Sequence, residues 1–202
     1  MSCIKLHLKK RMVNAMSNNR RYVIGSSLSL VLAAGGAGTY NYITGASESQ
    51  IQSTAKKEGF TSRPVIPTKN DVPTIAFGTT VYPDGAKVKM TDPAVTRAQG
   101  MVFLRKHMDK EAQRFNKTIL NIPIYQEEYD AYTDFVYQFG HGNWSGSSML
   151  RNLKQGKYRA ACDSLLKYKF SGGYDCSTPG NKRCAGVWTR QLERHSKCMR
   201  VN

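Results

Sequence analysis

Residues 47–78 read SESQIQSTAKKEGFTSRPVIPTKNDVPTIAFG, and the order of signals in this run sets the architecture. Ser47-Glu48-Ser49-Gln50 is a capping-box pattern, Gly59 is a helix-stop signal, and Ile51 and Ala55 share one face between them. The spacing predicts a short helix ending at Glu58. Beyond it, Pro and Gly punctuate short β-branched runs: Thr74 to Phe77 and Thr79 to Tyr82 are the predicted strands, with Asp84-Gly85 as a turn. A small irregular sheet follows the helix.

Downstream of Asp92-Pro93 the period changes. Val95, Met101 or Val102, Leu104 or Met108, Ala112 and Phe115 recur at near-helical spacing, and Tyr129, Tyr132, Phe135, Val136 and Phe139 mark a second helix over Tyr125 to Phe139. A third stretch starts at Ser148, passes Gly156 and carries Tyr158, Ala161 and Leu165; the last runs from Val187 to Met199. A small sheet beside a larger helical body is an α+β arrangement.

Upstream, the composition is different. The 202 residues carry a formal net charge of +16, yet residues 1 to 47 hold no acid and only Lys5, Lys9, Lys10, Arg11, Arg20 and Arg21 as bases. Residues 48 to 202 contain 24 bases against 14 acids, a net +10. From Tyr22 to Ser47 there is no charge at all, and Arg20-Arg21 stand directly before it. About 20 apolar residues span a bilayer, and bases before the first apolar stretch hold that end in the cytoplasm. Gly, Ser and Thr dilute Val23, Ile24, Leu28, Leu30, Val31, Leu32 and Ile43, so residence in the bilayer is marginal. The readings are a weak anchor that leaves the membrane intact, a cleaved signal peptide and a permanent anchor. The expected layout is 1–21 as a basic cytoplasmic segment, 22–46 as a weakly hydrophobic signal-anchor and 47–202 as the exported domain. The mean hydropathy of −0.49 excludes a polytopic membrane protein.

Cysteine usage agrees with export. Cys162, Cys176, Cys184 and Cys198 form an even set with no CxxC pair, which favours two disulfides over a zinc site. Three pairings are open. The nested one, Cys162 with Cys198 and Cys176 with Cys184, is preferred because the Gly-rich loop from Ser171 to Gly186 needs closing.

A carboxyl at the C-terminal turn of a helix meets the negative end of the helix dipole, a setting that suits a general acid. Glu58 occupies such a turn, with Lys56 and Lys57 opposing. Sixteen residues later comes Thr74-Ile75-Ala76-Phe77-Gly78, and downstream stand Pro123-Ile124-Tyr125-Gln126 with Glu128-Tyr129-Asp130-Ala131, and Ser148-Met149-Leu150 with Leu153 and Gly156. These three ordered blocks resemble the phage-type lysozymes, glycoside hydrolase family 24, over residues 47 to 170. The resemblance implies a lysozyme-like fold with a small sheet lobe beside a helical lobe. It also implies Glu58 as general acid and Thr74 as a water-positioning hydroxyl; Asp71, the carboxylate nearest the place where the family has its second acid, is the candidate for that role, with an Asx turn in Lys69-Asn70-Asp71 as the alternative. The sequence departs from the family pattern at Pro67, where an acid is expected, and at Ala76, where a Gly is. The weak N-terminal apolar segment is similar to a signal-anchor that is released from the membrane, as some members of the family carry.

Thr80 is a second candidate for holding the water, and His141 and Trp144 are candidates for bordering a sugar site. No metal and no cofactor are expected. The implied function is a phage endolysin: a monomer that reaches the periplasm through the export machinery, held first at the host inner membrane by its N-terminal segment. It would cut the β-1,4 bonds between N-acetylmuramic acid and N-acetylglucosamine in peptidoglycan glycan strands. A lytic transglycosylase, which needs one acid and no water-activating carboxylate, is the alternative enzyme. A non-catalytic basic envelope-binding protein is the alternative of another class. Nucleic acid is not an expected partner, because the bases are scattered, no binding motif is present and the domain is exported.

Overall fold

The structure is a computed structural model that describes Ile43 and residues 45–202; the predicted basic segment and nearly all of the predicted signal-anchor lie outside the described residues. Helix α1 spans Glu48–Glu58, as the capping and stop signals predict, with Ser47 Oγ accepting the Gln50 N–H at 3.2 Å. The capping box is only half made. The Gln50 side chain turns instead to the Asp134 carboxylate, donating from Nε2 at 3.0 Å. Ile43 is buried in the helical core, and the Gly45 carbonyl accepts from Gln126 Nε2 at 3.1 Å, so the folded body starts earlier than the predicted boundary at residue 47.

Strand β1 (Thr61–Val65) pairs antiparallel with β2 (Thr74–Ala76), Thr61 opposite Ala76 and Val65 opposite Thr74, with an irregularity between. Strand β1 was not expected, because Pro64 within it removes a ladder donor and disguises an edge strand as loop. The predicted Thr79–Tyr82 strand is reduced to isolated bridges, Ile75 with Thr79 and Val81 with Lys87.

Helix α2 (Arg97–Thr118) opens on a complete Thr96/Gln99 capping box and runs through both cores. Its Leu104 and Met108 pack with Ile51, Ala55, Ala76 and Phe77, while its Phe115 joins the larger helical core. That core is filled by α3 (Gln126–Ser145), α4 (Ser148–Lys154), α5 (Tyr158–Ser164), a 3-10 turn (Leu165–Lys167) and α6 (Ala185–Met199). Gly140, at φ 80 and ψ 165, breaks α3 and turns its last residues back, where Trp144 enters the core. A two-residue hairpin, β3 (Phe170–Ser171) with β4 (Tyr174–Asp175), precedes α6. Cys162–Cys198 ties α5 to α6, and Cys176–Cys184 closes the loop after the hairpin, which is the nested pairing.

The sheet lobe meets α2 at one tight joint. A Cβ built on Gly100 would stand 2.9 Å from Ala76 Cβ, 3.1 Å from Phe60 and 3.2 Å from Phe77. Ala76 itself adopts φ 57, in the left-handed region that costs a β-carbon about 1 kcal/mol. Arg97 lies over the Phe77 ring at 5.0 Å and covers the joint from outside.

The helices are held in register by a buried charge. Asp134 on α3, with its side chain 2% exposed, accepts from Arg190 Nε and Nη2 at 3.1 and 2.8 Å and from Arg194 Nε at 2.6 Å. Arg194 also donates from Nη2 to the Asp134 carbonyl at 2.9 Å. Burial alone would raise the Asp134 pKa, but the Arg190 hydrogen bonds and the Arg194 charge outweigh it and hold the carboxyl at about 2, against an ordinary 3.8. Burial brings Arg194 down to about 10, still charged at neutral pH, with Asp134 opposing the shift.

Two outcomes follow from these contacts. A carboxylate whose folded pKa is depressed contributes stability that is complete above its unfolded pKa and lost as pH falls through the folded value. Asp134 should therefore contribute on the order of 2 kcal/mol that disappears between about pH 4 and pH 2. Asp134→Ala should cost about 3–5 kcal/mol at neutral pH, because Arg194 is left buried without its partner. Urea unfolding of both proteins from about pH 7 down to about pH 2 measures both effects. At the joint, Gly100→Ala should cost about 1–3 kcal/mol by overpacking, and adding Ala76→Gly should return most of it. Independent, additive losses in the double variant would contradict the shared contact.

Candidate active site

Glu58 is the last residue of α1, followed by Gly59 at φ 73, and its side chain is 27% exposed. The two carboxylate oxygens face different elements. Arg190 Nη1 of α6 lies 3.6 Å from Oε1, while Oε2 is 3.8 Å from where a Cβ would sit on Gly78. Gly78, at φ 81, lets the turn after β2 approach the acid with bare backbone. The turn is pinned by reciprocal Ile75–Thr79 backbone hydrogen bonds at 2.9 Å.

Arg190 is fixed from behind. Burial works to lower its pKa, but its hydrogen bonds to Asp134, together with the charges of Asp134 and Glu58, outweigh burial and hold it above the usual arginine value. Asp134 thus aims a permanent cation at Glu58 through Arg190. Tyr137 on α3 lies in the same field: burial first, and then the Glu58 charge, push its phenol up.

The other sequence candidates lie on the chain before and after β2. Thr74 opens β2, half-buried, and its hydroxyl donates to the Val72 carbonyl at 3.1 Å. Asp71 stands three residues before it in an exposed turn. Its Oδ1 accepts the Val72 N–H at 2.8 Å and its Oδ2 accepts Thr68 Oγ1 at 3.3 Å, so Asp71 and Thr74 share one short loop through Val72. Thr80 is exposed on the next turn, its carbonyl accepting the Val88 N–H at 3.0 Å.

Two candidates take other roles. Trp144 does not border a sugar site: it is fully buried, donates from Nε1 to Thr118 Oγ1 at 2.8 Å and packs 4.8 Å from the Phe115 ring. His141 stands beside the Gly140 break, with Nε2 2.9 Å from Glu111 Oε2 of α2 and its side chain 12% exposed, so it joins two helices.

Arg190, Asp134, Arg194 and Tyr137 were not singled out from the sequence, and Gln50 was read only as part of the α1 cap. The available signal was an Asp inside the apolar run from Ala131 to Val136 and two Arg one helical turn apart at 190 and 194. Among the described residues the one cluster with metal-ligand composition is Glu128 with Cys162 and Cys198, ligand atoms within 4.8 Å. Both sulfurs are spent in a disulfide, and Glu128 accepts the Tyr125 N–H at 2.7 Å and Asn202 Nδ2 at 2.9 Å.

Comparison with known proteins gives a consistent result. The phage lysozyme family model matches residues 55–193. A SAR-endolysin of Bacteriophage PS119 is 29% identical over 121 residues, covering 60% of this chain and 67% of the relative. An endolysin of Salmonella phage P22 is 28% identical over 101 residues, covering 50% of this chain and 68% of the relative. Among solved structures, a mutant of P22 lysozyme superposes with a TM-score of 0.62 at 21% identity, over 77% of this chain and 98% of that one. An endolysin from Escherichia coli O157:H7 phage FAHEc1 gives 0.62 at 20% identity, over 76% and 92%. The alignments thus reach about two thirds of the length of these sequence relatives, and the structures show the lysozyme-like fold. A family model covering well over half of the sequence, on a body that carries the helix-ending acid and the turn against it, means that this chain belongs to the phage lysozyme family.

Proposed function

We propose that the chain is an endolysin that hydrolyses the β-1,4 bond between N-acetylmuramic acid and N-acetylglucosamine in peptidoglycan, with Glu58 as the general acid. The observation that carries the reading is the placement of Glu58 in a member of this family: at a helix end, partly open to solvent, one oxygen toward Arg190 and the other toward the Gly78 turn. Cleavage of a glycosidic bond needs a proton delivered to the leaving oxygen and a group on the other face that stabilises the oxocarbenium-like state or activates water. Glu58 supplies the proton. Thr74 and Asp71, linked through Val72, supply a hydroxyl and a carboxylate from the loop before β2, and Thr80 is the spare hydroxyl.

The same proposal extends to location. The relatives described as SAR-endolysins support an N-terminal segment that holds the enzyme at the inner membrane and then releases it to the periplasm. Among the described residues no helix is long and apolar enough to cross a membrane, and the uncharged run from Tyr22 is the segment assigned to that task.

Production of the full chain in a Gram-negative culture should lyse the cells, and Glu58→Gln should abolish lysis at an equal protein level. Mass spectrometry of the released muropeptides should find reducing ends; 1,6-anhydro ends would make the enzyme a transglycosylase instead. Asp71→Asn and Thr74→Ala should each lower turnover at least tenfold if they hold the water, and full activity in Asp71→Asn would remove it from the mechanism.

A further inference from the structure

Among the described residues two aromatic side chains are exposed, Phe170 at 59% and Tyr174 at 47%, and both belong to the β3–β4 hairpin. Exposed aromatic rings cost solubility unless they have work to do. This hairpin is also built to hold its shape. Lys169 Nζ donates to Asp175 Oδ2 at 2.7 Å, and the Ser177 N–H donates to Asp175 Oδ1 at 2.9 Å. Asn181 Nδ2 donates to the Asp175 carbonyl at 2.8 Å, and Cys176–Cys184 closes the base. Cations stand against both rings: the Arg183 guanidinium lies 4.6 Å from the Tyr174 centroid and donates to its hydroxyl, and Lys169 Nζ lies 5.3 Å from the Phe170 centroid. Lys182 is exposed next to Arg183.

The loop closed by Cys176–Cys184 leads from the hairpin into α6, where Arg190 sits five residues past the start, about 7.5 Å along the axis, and reaches to 3.6 Å from Glu58. The hairpin's root, Tyr168, packs 4.6 Å from Phe135 and 5.7 Å from Phe139, and donates to the Asn143 carbonyl at 3.2 Å, which fixes the hairpin on the helical body.

We propose that this hairpin is an accessory peptidoglycan-binding site, in which Tyr174 stacks on the apolar face of a glycan-strand sugar while Arg183 and Lys182 take a stem-peptide carboxylate. A rigid ring carrying a hydroxyl matches a pyranose, apolar on one face and hydroxylated at its edge, and paired cations match the carboxylates that distinguish peptidoglycan from neutral glycans. The inference rests on the peptidoglycan reading above, and the test separates the two by measuring binding in the full chain carrying Glu58→Gln.

Co-sedimentation with purified sacculi, and isothermal titration with chitohexaose, a neutral glycan of β-1,4-linked N-acetylglucosamine, are the measurements. Tyr174→Ala should weaken binding to both about three- to tenfold, and Tyr174→Phe should keep it within twofold. Arg183→Gln should weaken binding to sacculi by a larger factor than binding to chitohexaose. Binding within twofold for Tyr174→Ala, or an equal loss in Tyr174→Phe, overturns the stacking role. An equal factor for Arg183→Gln on both substrates overturns the carboxylate role. Thermal melts accompany each variant, and if Tyr174→Ala does not fold, Tyr174→Leu, apolar but without an aromatic face, takes its place under the same criteria. A wild-type chain that fails to cleave sacculi would overturn the proposed activity alone.

Discussion

Asp134 is a carboxylate removed from water on α3, and what surrounds it decides how the helices of the larger lobe are set relative to α1. Taking one charge out of water costs several kcal/mol, and the structure recovers that cost only if every oxygen finds a donor at once. Gln50 from α1 and Arg190 and Arg194 from α6 provide those donors. The three elements cannot rotate or slide independently without leaving a charge unpaired. A buried ion pair of this kind adds little net stability compared with an apolar filling, but it admits one arrangement where an apolar contact would admit several. The arrangement it selects brings the Arg190 guanidinium to Glu58.

Glu58 therefore sits at a seam. Its helix packs into the smaller core with Ile51 and Ala55, while the cation that faces it is rooted in the larger one. Helix α2 crosses from one core to the other and carries side chains into both. An acid placed between two independently packed cores is open to a polymer from the side, which a fully enclosed acid would not be. The Gly78 turn, with no side chain of its own, leaves room for that polymer at the acid's second oxygen.

Elements with strong local signals were readable directly. The helix ending at Glu58 and the long helices after Asp92 follow from caps and period, and the structure has each; of the three open cysteine pairings it has the nested one, toward which the Gly-rich loop leaned. What escaped reading depends on distance along the chain. Pro64 hid β1, because an edge strand tolerates a proline that local rules count against it. Gln50 was assigned to its own helix cap, whereas a carboxylate 84 residues away binds it instead. Trp144 lies in a glycine-rich stretch where a core role and a sugar-facing one both read, and the Gly140 break puts it in the core. Glu58 stood out because the Gly after it marks a helix end and the blocks downstream resemble the family; Arg190 and Asp134 did not, because a buried ion pair across helices leaves no periodic trace.

Ala76 stands where the family pattern and this sequence part, and Gly100 faces it from the opposing helix. The chain places a methyl group on a backbone position that favours glycine, and the helix across from it carries no side chain. A methyl on the helix would press on Ala76 hardest and on the Phe60 and Phe77 rings as well. Substitution at position 100 is thus conditional on position 76: with glycine in the turn a methyl on the helix meets only ring edges, which can tilt, and with alanine there it meets a β-carbon that cannot.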